Sequence, residues 1–158
     1  MPLIMGIDPG LAHAGWGIVS HDGQRGRHVA HGVLNTKSNQ PSSLRLQSLF
    51  KGLCSVLEEY KPESVAIETL YFAKNISSAL PVAQARGVLL LAAAESGIPA
   101  FEYTPLQIKQ AVVGNGRADK NQVQMMVALL LKLPESPKPD HAADALAAAI
   151  CHAHTGER

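Results

Sequence analysis

Cysteine is scarce in this 158-residue chain: only Cys54 and Cys151 occur. Both fall in segments with helical spacing, so no disulfide framework is expected, and a reducing cytoplasm is the favoured setting. No uninterrupted apolar run reaches about 18 residues, so no membrane span is expected. The first residues lack a charged region followed by an apolar one, so no secretory signal is expected either. Net charge is nearly absent, at +1, and argues neither for nor against a polyanionic partner. Internal repeats are missing, and the length suits one domain spanning residues 1–158.

What is present begins with an apolar share of 46%, enough for a globular core. The charge is uneven. Between Pro105 and Lys138, Lys109, Arg117, Lys120, Lys132 and Lys138 face only Asp119 and Glu135. A basic side on a near-neutral protein is compatible with a phosphate backbone, although a solvated surface explains it as well.

The pattern of elements predicts an α/β fold. Leu3–Asp8 is a short apolar run that ends on an acid, and Pro9-Gly10 stops it. Gly15–Val19 reads as a second strand, the Asp22-Gly23 pair as a hairpin turn, and His28–Leu34 as a third strand. Ser42 and Ser43 resemble helix caps; Leu46, Leu49, Phe50, Leu53, Val56, Leu57 and Tyr60 then recur at helical spacing. Ser64–Glu68 is a second apolar run ending on an acid. A helix between these two strands implies a right-handed crossover with the strands parallel. A long helix over Ser77–Ser96 is apolar nearly all round, which suits deep burial or sharing with a partner. Ala100–Tyr103 reads as a fifth strand. Thr104-Pro105 and Asp119 cap two further helices. A proline-rich connector, Pro134–Pro139, leads to a last, alanine-rich helix over Asp140–His152.

Parallel strands bring their C-terminal ends to one rim of a sheet, where ligands commonly bind. Asp8 and Glu68 are expected there together. The last helix opens Asp140-His141-Ala142-Ala143-Asp144, and positions three and four apart share a helix face. Either Asp140 or His141 can therefore point with Asp144, making a four-ligand set dominated by oxygen. Such ligands suit hard cations such as magnesium or manganese, and two such ions can drive in-line phosphodiester hydrolysis. Singly, each residue has a plain explanation as a turn, cap or surface residue.

The chain resembles the RuvC family of bacterial Holliday-junction resolvases, within the ribonuclease H-like fold. The resemblance runs through Gly6–Gly10, Ala66–Glu68, Ala73–Asn75, Gln84–Gly87, Gln107–Gly114, Ala118–Val123 and Ala142–Ala147. It implies a five-stranded mixed sheet, three strands antiparallel and two parallel, flanked by helices. It implies a magnesium-dependent endonuclease that cuts four-way DNA junctions by paired symmetric nicks in recombination and repair, with two Mg2+ ions per site and Mn2+ as a substitute. The implied metal ligands are Asp8, Glu68, Asp144 and the position three before it, His141, which serves as fourth ligand or as a base beside the metal. Asp140 is then the N-cap of that helix.

The same resemblance implies that Lys109 and Lys120 hold the scissile phosphate. It implies that Tyr71, or Phe72 beside it, stacks on an unpaired base, and that Lys74, Arg86 and Arg117 contact phosphates. A two-fold junction implies a homodimer, for which the apolar Ser77–Ser96 helix is the candidate interface. A branch-migration motor of the same pathway is the implied partner. Cys151, His152 and His154 do not match a zinc spacing. The rival readings are another ribonuclease H-like nuclease acting on RNA–DNA hybrids or ribosomal RNA precursors, an actin-like nucleotide-binding protein, and a non-catalytic junction-binding module.

Overall fold

The computed structural model describes residues 2–69 and 76–156. The described elements are β1 (Leu3–Asp8), β2 (His13–His21), β3 (Gly26–Asn35), α1 (Ser42–Tyr60), β4 (Ser64–Glu68), α2 (Ile76–Glu95), β5 (Ala100–Tyr103), α3 (Pro105–Val113), α4 (Lys120–Leu130) and α5 (Asp140–Thr155). They form the expected mixed sheet, in the order β3-β2-β1-β4-β5. β1, β2 and β3 run antiparallel, and β4 lies parallel to both β1 and β5.

Alternation along the strands decides which helices cover which face. Met5, Ile7, Ile18, Val65 and Ile67 point to one side and pack with Leu49, Leu53 and Leu57 of α1 and Ala85 and Leu89 of α2. Ile4, Val19, Ala66 and Tyr103 point to the other and pack with α3, α4 and α5. Asp8 and Glu68 share the parity of Ile4 and Ala66. Their carboxylates therefore belong to the side that α5 covers.

Three glycines let α5 come close. A Cβ on Gly6 would strike the backbone of Ala145 and Ala149, one on Gly15 would strike His141, and one on Gly17 would strike Leu146. These glycines are neighbours across the ladder, since Gly6 pairs with Gly17 and Asp8 with Gly15. The facing helix is correspondingly alanine-rich, with Ala142, Ala145, Ala148 and Ala149 fully buried. Small residues on both surfaces set the first turn of α5 down beside the end of β1.

Several local expectations change. β2 and β3 are longer than the hydrophobic runs suggested, because their pairing extends from His13–Asn35 to His21–Gly26. Pro41, not Ser42 or Ser43, occupies the N-cap of α1, and no side chain caps it. Asp140 is likewise not a cap: Pro139 holds that position in extended geometry and Asp140 is the first helical residue. Thr104 and Asp119 do cap α3 and α4, each completing a capping box with Gln107 or Gln122. Ser77–Glu95 within α2 is long and apolar enough to cross a membrane by length and composition, with a mean hydropathy of 1.3. Here Ala85, Leu89, Ala92 and Ala93 of that helix are buried in the fold, while Leu80 and Leu91 are exposed.

Candidate active site

β1 and β4 pair up to Ile7–Ile67, so the next residues, Asp8 and Glu68, stand side by side at the strand ends, each still paired on its other side, with Gly15 and Tyr103. α5 adds His141 and Asp144 from above. His141 Nδ1 lies 3.0 Å from Asp8 Oδ2; donation of its proton to the carboxylate leaves Nε2 as the ring's accepting nitrogen. The His13 ring stacks on His141, centroids 5.4 Å apart, and His13 is itself 2.6 Å from Asn35 Oδ1. Sequence reasoning gave His13 no role. Its only signal was its place three residues past Gly10, at the start of a strand paired with β1.

Asp144 faces Lys120, whose Nζ is 3.6 Å from its Oδ2. Glu68, Lys109, Lys120 and Asp144 line one cleft of about 220 Å3, walled by Ile108, Val123 and Ala147. Asp140 stands between Lys120 and Lys138, at 3.9 and 3.8 Å. Of the two candidates for the fourth position, His141 is the one beside Asp8.

The acids crowd one another. Burial first, then the charges of Asp8 and Asp144, push the Glu68 carboxyl up to about 7, against the pull of Lys109 and Lys120. Burial also raises Asp8, with Asp144 adding to it and the His141 hydrogen bond opposing. Burial raises Asp144, opposed by Lys120. Among the described residues, no three His, Cys, Asp or Glu side chains already stand together as a metal-ligand group.

The other expected residues are placed differently. Arg86 does not stand free: its Nε donates to the Glu68 carbonyl at 3.3 Å, and its guanidinium pairs with Glu102. Arg117 lines a separate hollow beside α3 with Leu106, Gln107 and Gln110. Tyr71, Phe72 and Lys74 lie outside the described residues. Cys151, His152 and His154 part company: Cys151 Sγ is 3.7 Å from the Gln107 carbonyl, His152 Nδ1 is 2.5 Å from the Tyr103 hydroxyl, and His154 sits edge-on to His21. Larger hollows of about 580 and 650 Å3 lie around Pro2, His21 and His152 and beside Arg25 and Lys132. They gather none of the expected acids.

A mixed sheet whose strands β1 and β4 end on carboxylates, with a C-terminal helix bringing His141 and Asp144 beside them and lysines along the rim, has the architecture of the ribonuclease H-like fold. The structure titled "T. thermophilus RuvC in complex with Holliday junction substrate" matches it with a TM-score of 0.92 at 39% identity, covering 98% of this chain and 94% of that one. The family model described as "Crossover junction endodeoxyribonuclease RuvC" matches residues 4–152. Curated relatives of that name include one from Pelotomaculum thermopropionicum, 55% identical over 152 residues, 96% of this chain and 93% of that protein. Another, from Desulforamulus reducens, is 52% identical over 151 residues, with 96% and 93% covered. The chain belongs to the RuvC family.

Proposed function

We propose that this chain resolves four-way DNA junctions by paired, symmetric, divalent-metal-dependent nicks. Membership of the RuvC family carries the reading, and the convergence of Asp8, Glu68, His141 and Asp144 at one sheet edge supports it locally. The raised carboxyls are the physical reason to invoke a cation. Three acids that resist ionisation together gain when positive charge joins them. Three oxygen donors with one imidazole fit Mg2+, with Mn2+ as a substitute.

Asp8, Glu68 and Asp144 would hold two ions, with His141 as fourth ligand or neighbouring base. The ions supply activation of water and stabilisation of the leaving oxygen. The protein's own residues do the rest. Asp8 fixes the His141 ring through Nδ1, so that Nε2 is the nitrogen able to bind a cation or take up a proton. Lys109 and Lys120 present ammonium groups to the scissile phosphate, where they offset charge that grows in the transition state. Lys120 holds Asp144 when DNA is away. Tyr71, or Phe72 beside it, supplies the ring for stacking on an unpaired base.

The acting unit in this reading is a homodimer, each copy one domain in a cytoplasmic setting. Its interface is the outer face of α2, where Leu80, Gln84, Gly87 and Leu91 are exposed at helical spacing. The branch-migration motor of the same pathway is the proposed partner by family resemblance. The test compares wild type with Glu68→Gln on a labelled junction, with Mg2+, with Mn2+ and with EDTA. Metal-dependent nicking by wild type alone is expected; equal nicking by Glu68→Gln, or nicking in EDTA, overturns the reading.

A further inference from the structure

Glu68 ends β4 one residue beyond the last β1–β4 pair, Ile7–Ile67. At that point the ladder no longer fixes the strand from the β1 side. Arg86 of α2 reaches the same backbone, with Nε donating to the Glu68 carbonyl at 3.3 Å. The other end of its guanidinium pairs with Glu102 of β5. Glu102 pairs in register with Ile67, and like Ile67 it projects to the α2 side, because its neighbours Phe101 and Tyr103 belong to the α5 side. One planar fork thus ties the ends of β4 and β5 together from beneath, while the Glu68 carboxylate emerges above. The Arg86 side chain is only 18% exposed. A group so engaged is poorly placed to meet a phosphate.

We infer that Arg86, held by Glu102, is a positioning residue that fixes the Glu68 carboxylate from behind, and that it is not a DNA contact. The inference rests on the functional reading above and adds a residue pair to it. A planar guanidinium bridges a carbonyl and a carboxylate at fixed separation, which a single ammonium cannot do. Displacement of a reacting group by about 1 Å costs up to about a hundredfold in rate.

The experiment uses full-length Arg86→Gln, Arg86→Lys, Glu102→Gln and Glu68→Gln beside wild type. Three quantities are read: junction affinity in EDTA across a salt series, single-turnover cleavage at saturating enzyme with Mg2+, and Mn2+ affinity of the DNA-free protein. Arg86→Gln and Glu102→Gln are expected to lose about tenfold or more in cleavage and to bind Mn2+ more weakly, with junction affinity and its salt slope unchanged. Arg86→Lys recovers part of the loss. If Arg86→Gln fails to fold, the half-exposed Glu102→Gln and the Arg86→Lys variant decide alone. The inference is overturned if Arg86→Gln lowers the salt slope by about one with saturated cleavage intact, or if Glu102→Gln tightens junction binding by freeing the arginine. Wild type that cuts while Glu68→Gln does not, with the Arg86 and Glu102 variants at wild-type rate, refutes this inference and leaves the function standing. Wild type that does not cut refutes both.

Discussion

The carboxylate cluster makes a specific demand on stability. Glu68 is carried from an ordinary 4.5 to about 7 by burial and by the charges of Asp8 and Asp144. Below pH 4.5 the group is protonated in both folded and unfolded chains, and it has no effect. Between 4.5 and 7 the folded protein holds a proton that the unfolded chain has released, so stability falls as pH rises. Above 7 the loss is complete. The shift corresponds to about 3 kcal/mol at 1.36 kcal/mol per unit, and water around a partly exposed carboxyl reduces this to about 2 kcal/mol. Asp8 and Asp144 shift in the same direction, so wild type declines more than Glu68 alone requires. The assay is denaturant unfolding of wild type and Glu68→Gln at half-unit intervals from pH 4.5 to 8 without metal. Glu68→Gln should gain on wild type across that window, by about 2 kcal/mol at pH 8, part of it from relief of Asp8. Adding Mg2+ at pH 8 should raise wild type far more than Glu68→Gln, because the ion binds only the folded acids. Parallel pH curves for the two proteins would refute the reasoning.

Other consequences follow from the same geometry. His141→Ala should abolish cleavage in a nicking assay while gel-shift affinity for the junction stays near wild type. Asp140→Ala removes an exposed acid from the first turn of α5 and should cost about 0.3–1 kcal/mol in a denaturant titration, with cleavage retained. Loss of cleavage in Asp140→Ala with full activity in His141→Ala would reverse the assignment. Gly6→Ala forces a methyl group into the backbone of Ala145 and Ala149; overpacking of about 1–3 kcal/mol should lower the melting temperature and slow cleavage together, and an unchanged melting curve would contradict the close approach of α5. Leu80→Glu with Leu91→Glu puts charges on the exposed face of α2 and should shift sedimentation to a monomer. A monomeric wild type that cuts the junction would refute the dimer.

Much of this was legible because the signals are local or periodic. Two short apolar runs ending on an acid, Leu3–Asp8 and Ser64–Glu68, with a helix between them, placed two acids at the ends of parallel strands, and Asp22-Gly23 gave the hairpin. Thr104 and Asp119 capped as expected, since each has a glutamine three residues on. What escaped depends on contacts between distant residues. Gly6, Gly15 and Gly17 look like weak points in strands, and only the approach of α5 explains them. Asp140 looked like a cap because the type suits one, but Pro139 takes the extended position and moves the acid one step into the helix. The resemblance implied that Arg86 contacts phosphate, and its sequence position does not reveal the acceptors that hold it, which lie 18 residues before it and 16 after it. His13 reaches the site through strand pairing and an aromatic stack that no spacing rule anticipates.

The most direct measurement maps nicks made by the purified protein with Mg2+ on three substrates: a four-way DNA junction, a linear duplex of the same sequence, and an RNA–DNA hybrid. The account predicts paired nicks at symmetric positions in the junction, with duplex and hybrid left intact. Cleavage of the hybrid or the linear duplex at a comparable rate, or a junction bound but left uncut, would contradict it.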